Sequence, residues 1–260
     1  MQNGTAQVNI LEEAGDLLRQ STEPGNQTLS GKVVILEGLI AAGKSTFSEE
    51  LAEILGPETL LLLEPDEKEG KNPYLNWYYE DPGKWAFPMQ IHLLATRFRM
   101  HLRAQWRAMN TEYFSVMDRS FYGDTSFARL QLAFGHLTPQ EFETYRQIYH
   151  SMTAFVLLPQ FCIWLKTSPE SSARRINKRI EDREGRSCES KIDLGYLHKL
   201  DQEIANMISV LKSQGVQILE VDWEKERTKE ERLPHLLKVA EKIRTFQPPD
   251  LFLDLHRRTL

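Results

Sequence analysis

Cysteine is almost missing from this chain: 260 residues carry two, Cys162 and Cys188. One lies in an apolar run and the other in a charged stretch, so a disulfide framework is excluded and a reducing compartment fits. Long apolar runs are missing too. No segment approaches the roughly 20 residues that a membrane-spanning helix needs. The first thirty residues contain Glu12, Glu13 and Asp16 and lack a charged-then-apolar order. Neither a secretory signal nor a transit peptide is expected, and the protein reads as cytoplasmic. There is no excess of basic charge either, with 32 Lys and Arg against 37 Asp and Glu. A nucleic-acid polymer is therefore not an expected partner, although a local basic cluster can still serve a small phosphate. With no internal repeat and no second composition regime, one domain is expected over residues 31–248. Residues 1–30 read as a loosely ordered extension and 249–260 as a tail.

What is present is concentrated in Lys32–Ser48, KVVILEGLIAAGKSTFS. An aliphatic run, Val33–Leu36, precedes Gly38-x-x-x-x-Gly43-Lys44-Ser45 and then residues able to open a helix. This is the phosphate-binding loop pattern in its strand–loop–helix setting. The two glycines allow a tight curl in which successive N–H groups, from Gly38, Leu39, Ala41, Ala42, Gly43 and Thr46, turn inward around phosphate oxygens. The helix that follows points its positive end at the same place. Lys44 would reach the terminal phosphates, and the Ser45 hydroxyl would meet Mg²⁺. The chain is expected to bind ATP or another nucleoside triphosphate.

The remaining pattern alternates strands with helices. Strands are expected at Thr59–Leu63, Tyr113–Met117, Phe161–Leu165 and Val216–Val221. Helices are expected over Thr46–Leu55, from Pro82 to about Met109, from Thr138-Pro139 through Met152, and over Ser168–Arg183, Leu194–Gln214 and Leu233–Phe246. Such alternation predicts an α/β fold with a five-stranded parallel sheet covered on both faces.

Ligands of such a sheet collect at the carboxyl ends of its strands. Two tips besides the loop end on charge: Glu64 after the second strand, and Asp118-Arg119 after the third. Phosphoryl transfer needs a donor cradle, a metal, a base for the attacking hydroxyl and cations around the transferring group. Glu64 fits the base, Asp118 a carboxylate on the metal side, and Arg119 a clamp on oxygen atoms; a loop carboxylate and a structural ion pair are the plainer alternatives. The run Arg174–Arg179, continuing to Arg183 and Arg186, has Arg175 and Arg179 on one helix face. It reads as a lid that closes arginines over phosphate, or else as a solvated basic face. Gln90 and Arg97 share a face of the long helix, and a glutamine amide suits the edge of a nucleobase.

These segments together resemble the deoxynucleoside kinases, in particular the bacterial deoxyadenosine and deoxyguanosine kinase branch. The resemblance spans roughly residues 32–225. It rests on GLIAAGKST at Gly38–Thr46, LEP at Leu63–Pro65, NPYLNWYYEDPGKWAFPMQIHLLATRF at Asn72–Phe98, DRSFYGDTSFA at Asp118–Ala128 and RINKR at Arg175–Arg179. It implies a three-layer P-loop kinase fold with an arginine-rich lid, a homodimer formed through the long helix and the Phe142–Leu158 region, and transfer of the ATP γ-phosphoryl to a deoxynucleoside 5′-hydroxyl. By the same resemblance Glu64 is the general base, Arg119 holds the 5′ end, and Asp118 stands beside the metal. Tyr79 and Glu189 bind the sugar 3′-hydroxyl, and Gln90 meets the base edge. Arg97 and Asp124 form the pair typical of members that take purines or cytosine rather than thymine, and Phe127 stacks on the base. Arg175, Arg179 and Arg186 belong to the lid. The chain departs from animal members in about three extra lid residues, in Glu69 where a tryptophan follows the base, and in a Phe127 one residue nearer to Arg119.

Two other functions are open to such a sequence. A thymidylate-type monophosphate kinase also has an Asp-Arg pair after its third strand, but a dianionic acceptor has no need of a carboxylate base. A nucleotide-dependent switch would need no acceptor pocket, against which stand Tyr79, Gln90, Arg97 and Asp124.

Overall fold

A computed structural model of the chain describes residues 31–64, 72–154, 156–182 and 192–246. Its centre is β1 (Lys32–Gly38), buried at every position. A strand buried on both faces must be mostly apolar on both, and Val33–Leu36, the middle of β1, is. Val33 and Ile35 enter one hydrophobic cluster, while Val34 and Leu36 enter another on the opposite side. Four strands flank it: β2 (Leu60–Leu62), β3 (Phe114–Asp118), β4 (Phe161–Lys166) and β5 (Gln217–Asp222). The order is β2-β3-β1-β4-β5 with every pairing parallel.

Helices α1 (Lys44–Leu55) and α8 (Lys229–Thr245) cover the Val34 face, through Phe47, Leu51, Leu236 and Ile243. The Ile35 face is covered by α3 (Pro82–Asn110), α4 (Phe121–Ala133) and α7 (Leu194–Ser213), with Tyr145 of α5 (Pro139–Thr153) also in that cluster. The three-layer α/β architecture expected from the sequence is the one found. Helix α6 (Pro169–Glu181) follows β4 and carries the basic run.

Local chemistry explains most boundaries and two corrections. The Thr138 side chain and Glu141 form a reciprocal capping box at α5, as the T-P-Q-E order predicts. A second capping box, Thr228 with Glu231, starts α8 at Lys229. Sequence reading begins that helix at Leu233, with Pro234 in its first turn. Pro234 lies inside the helix instead, because the stronger start signal stands upstream of it. A short helix, α2 (Leu75–Glu80), follows Asn72–Tyr74 and was not marked by any period, its apolar content being mostly aromatic: Trp77 meets Trp85 of α3 at 4.8 Å with the rings tilted by 35°. Among the described residues no helix is long and apolar enough to cross a membrane. The expected extension and tail lie outside the described residues.

The register positions the site. Leu36 lies opposite Asp118, and Gly38 opposite Leu165, so the loop after β1 opens directly beside the tip of β3. The chain winds from β1 towards β2 on one side and towards β4 on the other, which leaves a crevice at this point.

Candidate active site

The phosphate loop has the backbone its sequence demands. Gly43 caps α1 with φ +85°, in the left-handed region, and a Cβ there would lie 3.1 Å from the Trp223 indole nitrogen. At Gly38 a Cβ would come within 2.8 Å of the Leu165 carbonyl oxygen. Ala41 adopts φ +56° without being glycine. The Ala42 N–H closes a turn on the Leu39 carbonyl at 3.3 Å, and the Ser172 hydroxyl ties the Ile40 carbonyl to α6 at 2.6 Å. Lys44 is buried and its ammonium donates to the Leu39 carbonyl at 2.8 Å. Burial, with the Arg119 cation next, pushes that ammonium down to about 8, against the pull of Asp118, Glu64 and Glu37. Thr46 is exposed on the first turn of α1.

Beside the loop, the Ser45 hydroxyl donates to Asp118 Oδ2 at 2.5 Å. Asp118 Oδ1 is buried without a hydrogen-bond partner. Burial raises the Asp118 carboxyl above its usual range, helped by Glu64 and opposed by Lys44 and Arg119. A hydroxyl and a carboxylate with a spare oxygen suit a hard cation such as Mg²⁺, which takes few protein oxygens and keeps water or phosphate for the rest.

On the other side of Asp118 lies a network of buried charges. Arg119 adopts φ +67°, and its N–H donates to the Leu36 carbonyl at 3.1 Å, bending the chain away from β3. Its Nε stands 3.4 Å from Glu64 Oε1, and its guanidinium lies over the Phe127 ring at 4.7 Å. Arg97, from α3, donates through Nη2 to Glu64 Oε1 and through Nη1 to Asp124 Oδ1. Gln90, two turns earlier, gives its amide N–H to the Asp124 carbonyl at 3.0 Å and leaves Oε1 buried and unpartnered. Burial alone would raise the Glu64 carboxyl, but Arg119, Arg97 and Lys44 together outweigh it and hold the group well below the usual carboxylate range. For Asp124, burial prevails over Arg97 and the carboxyl is raised.

This arrangement combines a donor loop, a metal-suited pair and a carboxylate in a cationic cage, within one crevice. A family model described as deoxynucleoside kinase matches residues 34–244. The chain belongs to the deoxynucleoside kinase family. A deoxyadenosine kinase from Dictyostelium discoideum is 33% identical over 202 residues, covering 74% of this chain and 77% of that one. A deoxyguanosine kinase from the same organism is 32% identical over 192 residues, 74% of this chain; the match spans 64% of that protein's length. The solved deoxyadenosine kinase of M. mycoides, with dCMP and dCDP bound, superposes with a TM-score of 0.66 at 26% identity. It covers 82% of this chain and all of that one, 100%.

Sequence reasoning about this deoxynucleoside kinase placed Lys44, Ser45, Glu64, Gln90, Arg97, Asp118, Arg119, Asp124 and Phe127 together, and the structure brings them together. Tyr79 lies on α2, its ring edge-on to Tyr78 at 5.1 Å. The phenol of the half-buried Tyr196 is raised well above its usual range by burial, then by Tyr78 and Tyr79, against Arg119. Arg175 is engaged elsewhere, donating to the Trp223 and Glu224 carbonyls at 2.7 and 3.0 Å. Arg179 stands in the last turn of α6. Arg183, Arg186 and Glu189 lie outside the described residues.

Three participants carry no sequence signal. Glu37, next to last in β1, is fully buried and accepts from the Ser120 N–H and hydroxyl at 2.9 and 2.6 Å. Its Oε2 lies 3.8 Å from Arg119 Nη1, and it occupies the space a side chain at Gly123 would need. Tyr196 is the second, and Tyr145, bonded to Asp124, the third. Glu37 stands immediately before the first glycine of the loop pattern, which does not specify it, and the tyrosines come from helices distant in sequence.

Proposed function

We propose that the protein transfers the γ-phosphoryl group of ATP to the 5′-hydroxyl of a deoxynucleoside, with purine deoxynucleosides or deoxycytidine preferred over thymidine. The observation that carries this reading is the guanidinium of Arg97, which joins Glu64 and Asp124 in one unit beside the phosphate loop. Glu64 accepts the proton of the attacking hydroxyl. Both arginine contacts fall on Oε1, which leaves Oε2 outside them for that task. Arg119 holds the 5′ oxygen and neutralises charge as the phosphoryl group arrives, and Lys44 holds the donor phosphates. Gln90 offers its unpartnered Oε1 and its remaining N–H to the base edge, while Tyr79 with Glu189 takes the sugar 3′-hydroxyl. Ser45 and Asp118 would hold Mg²⁺, which supplies neutralisation of the donor phosphates. Arg179 and Arg186 close over the donor, and Arg175 joins them once its bonds to the Trp223 and Glu224 carbonyls are exchanged.

A monophosphate acceptor is the less favourable reading. Among the described residues of the crevice, the buried cations Lys44, Arg97 and Arg119 face the buried carboxyl groups of Glu37, Asp118 and Asp124 and the partly exposed Glu64, so carboxyl groups outnumber cations around a dianionic acceptor. Incubation with ATP, Mg²⁺ and either deoxynucleosides or their monophosphates separates the possibilities. Phosphorylation of deoxynucleosides supports the proposal, turnover of monophosphates alone replaces it, and no turnover with any acceptor favours a nucleotide switch.

The proposal extends to a homodimer in the cytoplasm. Leu102, Trp106 and Met109 are exposed at one-turn spacings on a single face of α3, with Leu157 and Leu158 also exposed, and a partner's α3 would cover such a stripe. Cys162 is a buried free thiol, as suits a reducing compartment. A monomeric mass in solution would remove the dimer.

A further inference from the structure

Asp124 stands in the first turn of α4, fully buried, with its two carboxylate oxygens held from opposite sides. Arg97 donates to Oδ1, and the hydroxyl of Tyr145 donates to Oδ2 at 2.9 Å. Tyr145 arrives from α5, a helix whose described residues supply none of the strand tips around the phosphate loop. It is 2% exposed, and its ring lies between Phe142 and Tyr149, with centroids 6.3 Å away on each side and planes 17° and 25° from parallel. On the outer side of the stack runs a groove lined by Thr125, Arg129, Arg146 and His150. Tyr145 lines that groove as well, and its hydroxyl reaches from there to the Asp124 carboxylate. Its ring packs against Phe142 and Tyr149.

We infer that Tyr145 is a positioning residue for base selection: its hydroxyl locks Asp124, and through Asp124 the Arg97 fork, so that a single donor–acceptor pattern faces the nucleobase. The inference rests on the reading that Arg97 and Asp124 choose the base. A carboxylate with a donor on each oxygen cannot turn about its Cβ–Cγ bond without losing both bonds. With one donor it can swing, and the guanidinium it holds swings with it. Arg97 also grips Glu64, so a loosened Asp124 lets the fork lean towards the catalytic carboxylate and away from the base. The tyrosine hydroxyl has a second effect. A buried carboxyl tends to take up a proton, and a donor on Oδ2 favours the charged form that Arg97 needs.

The test is a deoxynucleoside panel at fixed ATP and Mg²⁺, comparing the native protein with Tyr145→Phe, Asp124→Asn and the double variant. Tyr145→Phe keeps the ring and the stack. It is expected to narrow the kcat/KM ratio between the best and worst accepted nucleosides by roughly ten- to a hundredfold, the usual worth of a hydrogen bond to a buried charge. The KM for ATP should stay within about twofold. In the Asp124→Asn background, Tyr145→Phe should add less than about twofold, since the bonded partner has already changed. Phe142→Leu perturbs the same stack without touching Asp124 and should lower Tm while leaving the ratio alone. An unchanged ratio in Tyr145→Phe, when Asp124→Asn does change it, overturns the inference and spares the base-selection reading. So does a Phe142→Leu variant that narrows the ratio equally, because packing alone would then explain it. An unchanged ratio in Asp124→Asn removes the base-selection reading itself, and this inference with it.

Discussion

Arg97 holds Glu64 with one arm of its guanidinium and Asp124 with the other. The fork is planar and stiff, so the two carboxylates are spaced by covalent geometry instead of by the flexibility of separate side chains. On the proposed function, one carboxylate serves the reacting hydroxyl and the other faces the base. Chemistry and recognition therefore share a single rigid part, and substitutions at its three members should separate them.

Glu64→Gln keeps shape and removes the proton acceptor. We expect kcat to fall by roughly 10²–10⁴-fold, the usual range for loss of a general base, with a smaller change in nucleoside KM. The native carboxyl, held well below its ordinary range, stays ionised throughout the neutral and mildly acid region. An acid limb in kcat/KM near neutrality therefore belongs to another group. Near-native turnover in the glutamine variant would take Glu64 out of the role.

Asp124→Asn and Arg97→Met should each change which deoxynucleoside is preferred more than they change the KM for ATP. The two will differ in stability. Arg97→Met leaves the fully buried Asp124 without its cation, where an unpaired charge costs roughly 3–5 kcal/mol, while Glu64 keeps Arg119; Asp124→Asn leaves a neutral amide beside the arginine. Urea unfolding measures the first effect and a substrate panel the second. A base ranking unchanged in both variants would make the pair purely structural.

Much of this was legible in the sequence, for a physical reason. The phosphate loop, Glu64 and Asp118-Arg119 all lie within a few residues of an aliphatic run, so strand period and tip chemistry are read in one place. Parallel pairing then brings the tips together: Leu36 opposite Asp118 is the register that makes Ser45 and Asp118 neighbours. Helix α2 and the true start of α8 were missed, because aromatic residues dominate the first and Pro234 drew attention from the capping box that starts the second. Tyr145 and Tyr196 could not be found by local pattern. Their partners, Asp124 and Tyr78, are 21 and more than a hundred residues away, and only the packing of α5 and α7 on α4 and α2 introduces them.

Lys44 provides a pH prediction on the donor side. Its ammonium is pushed down to about 8, mostly by burial and then by Arg119. A lowered pKa means the charge is present below that pH and lost as pH rises through it. The kcat/KM for ATP should thus decline above about pH 8. Arginine stays charged at such pH, so Lys44→Arg, although less active overall through its different shape, should show no decline in the same interval. An equal alkaline limb in both proteins would assign it to a different group.

His101 should make the fold sensitive to acid. It is fully buried on α3, its Nε2 lies 2.9 Å from the Leu157 carbonyl oxygen, and its Nδ1 is buried without a partner. The Phe121 and Tyr122 rings stand edge-on to it at 4.9 and 5.8 Å, so an added proton would meet no acceptor there. Burial pushes its pKa down to about 4 from 6.5, although the Leu157 carbonyl favours the charged form. Because the folded value is the lower one, the unfolded chain takes up the proton first. Stability is whole above about pH 6.5 and is lost as pH falls from there towards about 4. The loss attributable to this one side chain is about 3.5 kcal/mol at most, at roughly 1.4 kcal/mol per pKa unit. His101→Gln can still donate to the Leu157 carbonyl but cannot titrate. It should be less stable than the native protein at pH 7.5 and lose less on acidification, so the two urea midpoints converge near pH 5. Parallel midpoints from pH 7.5 to 5 would show that His101 contributes nothing to the acid sensitivity.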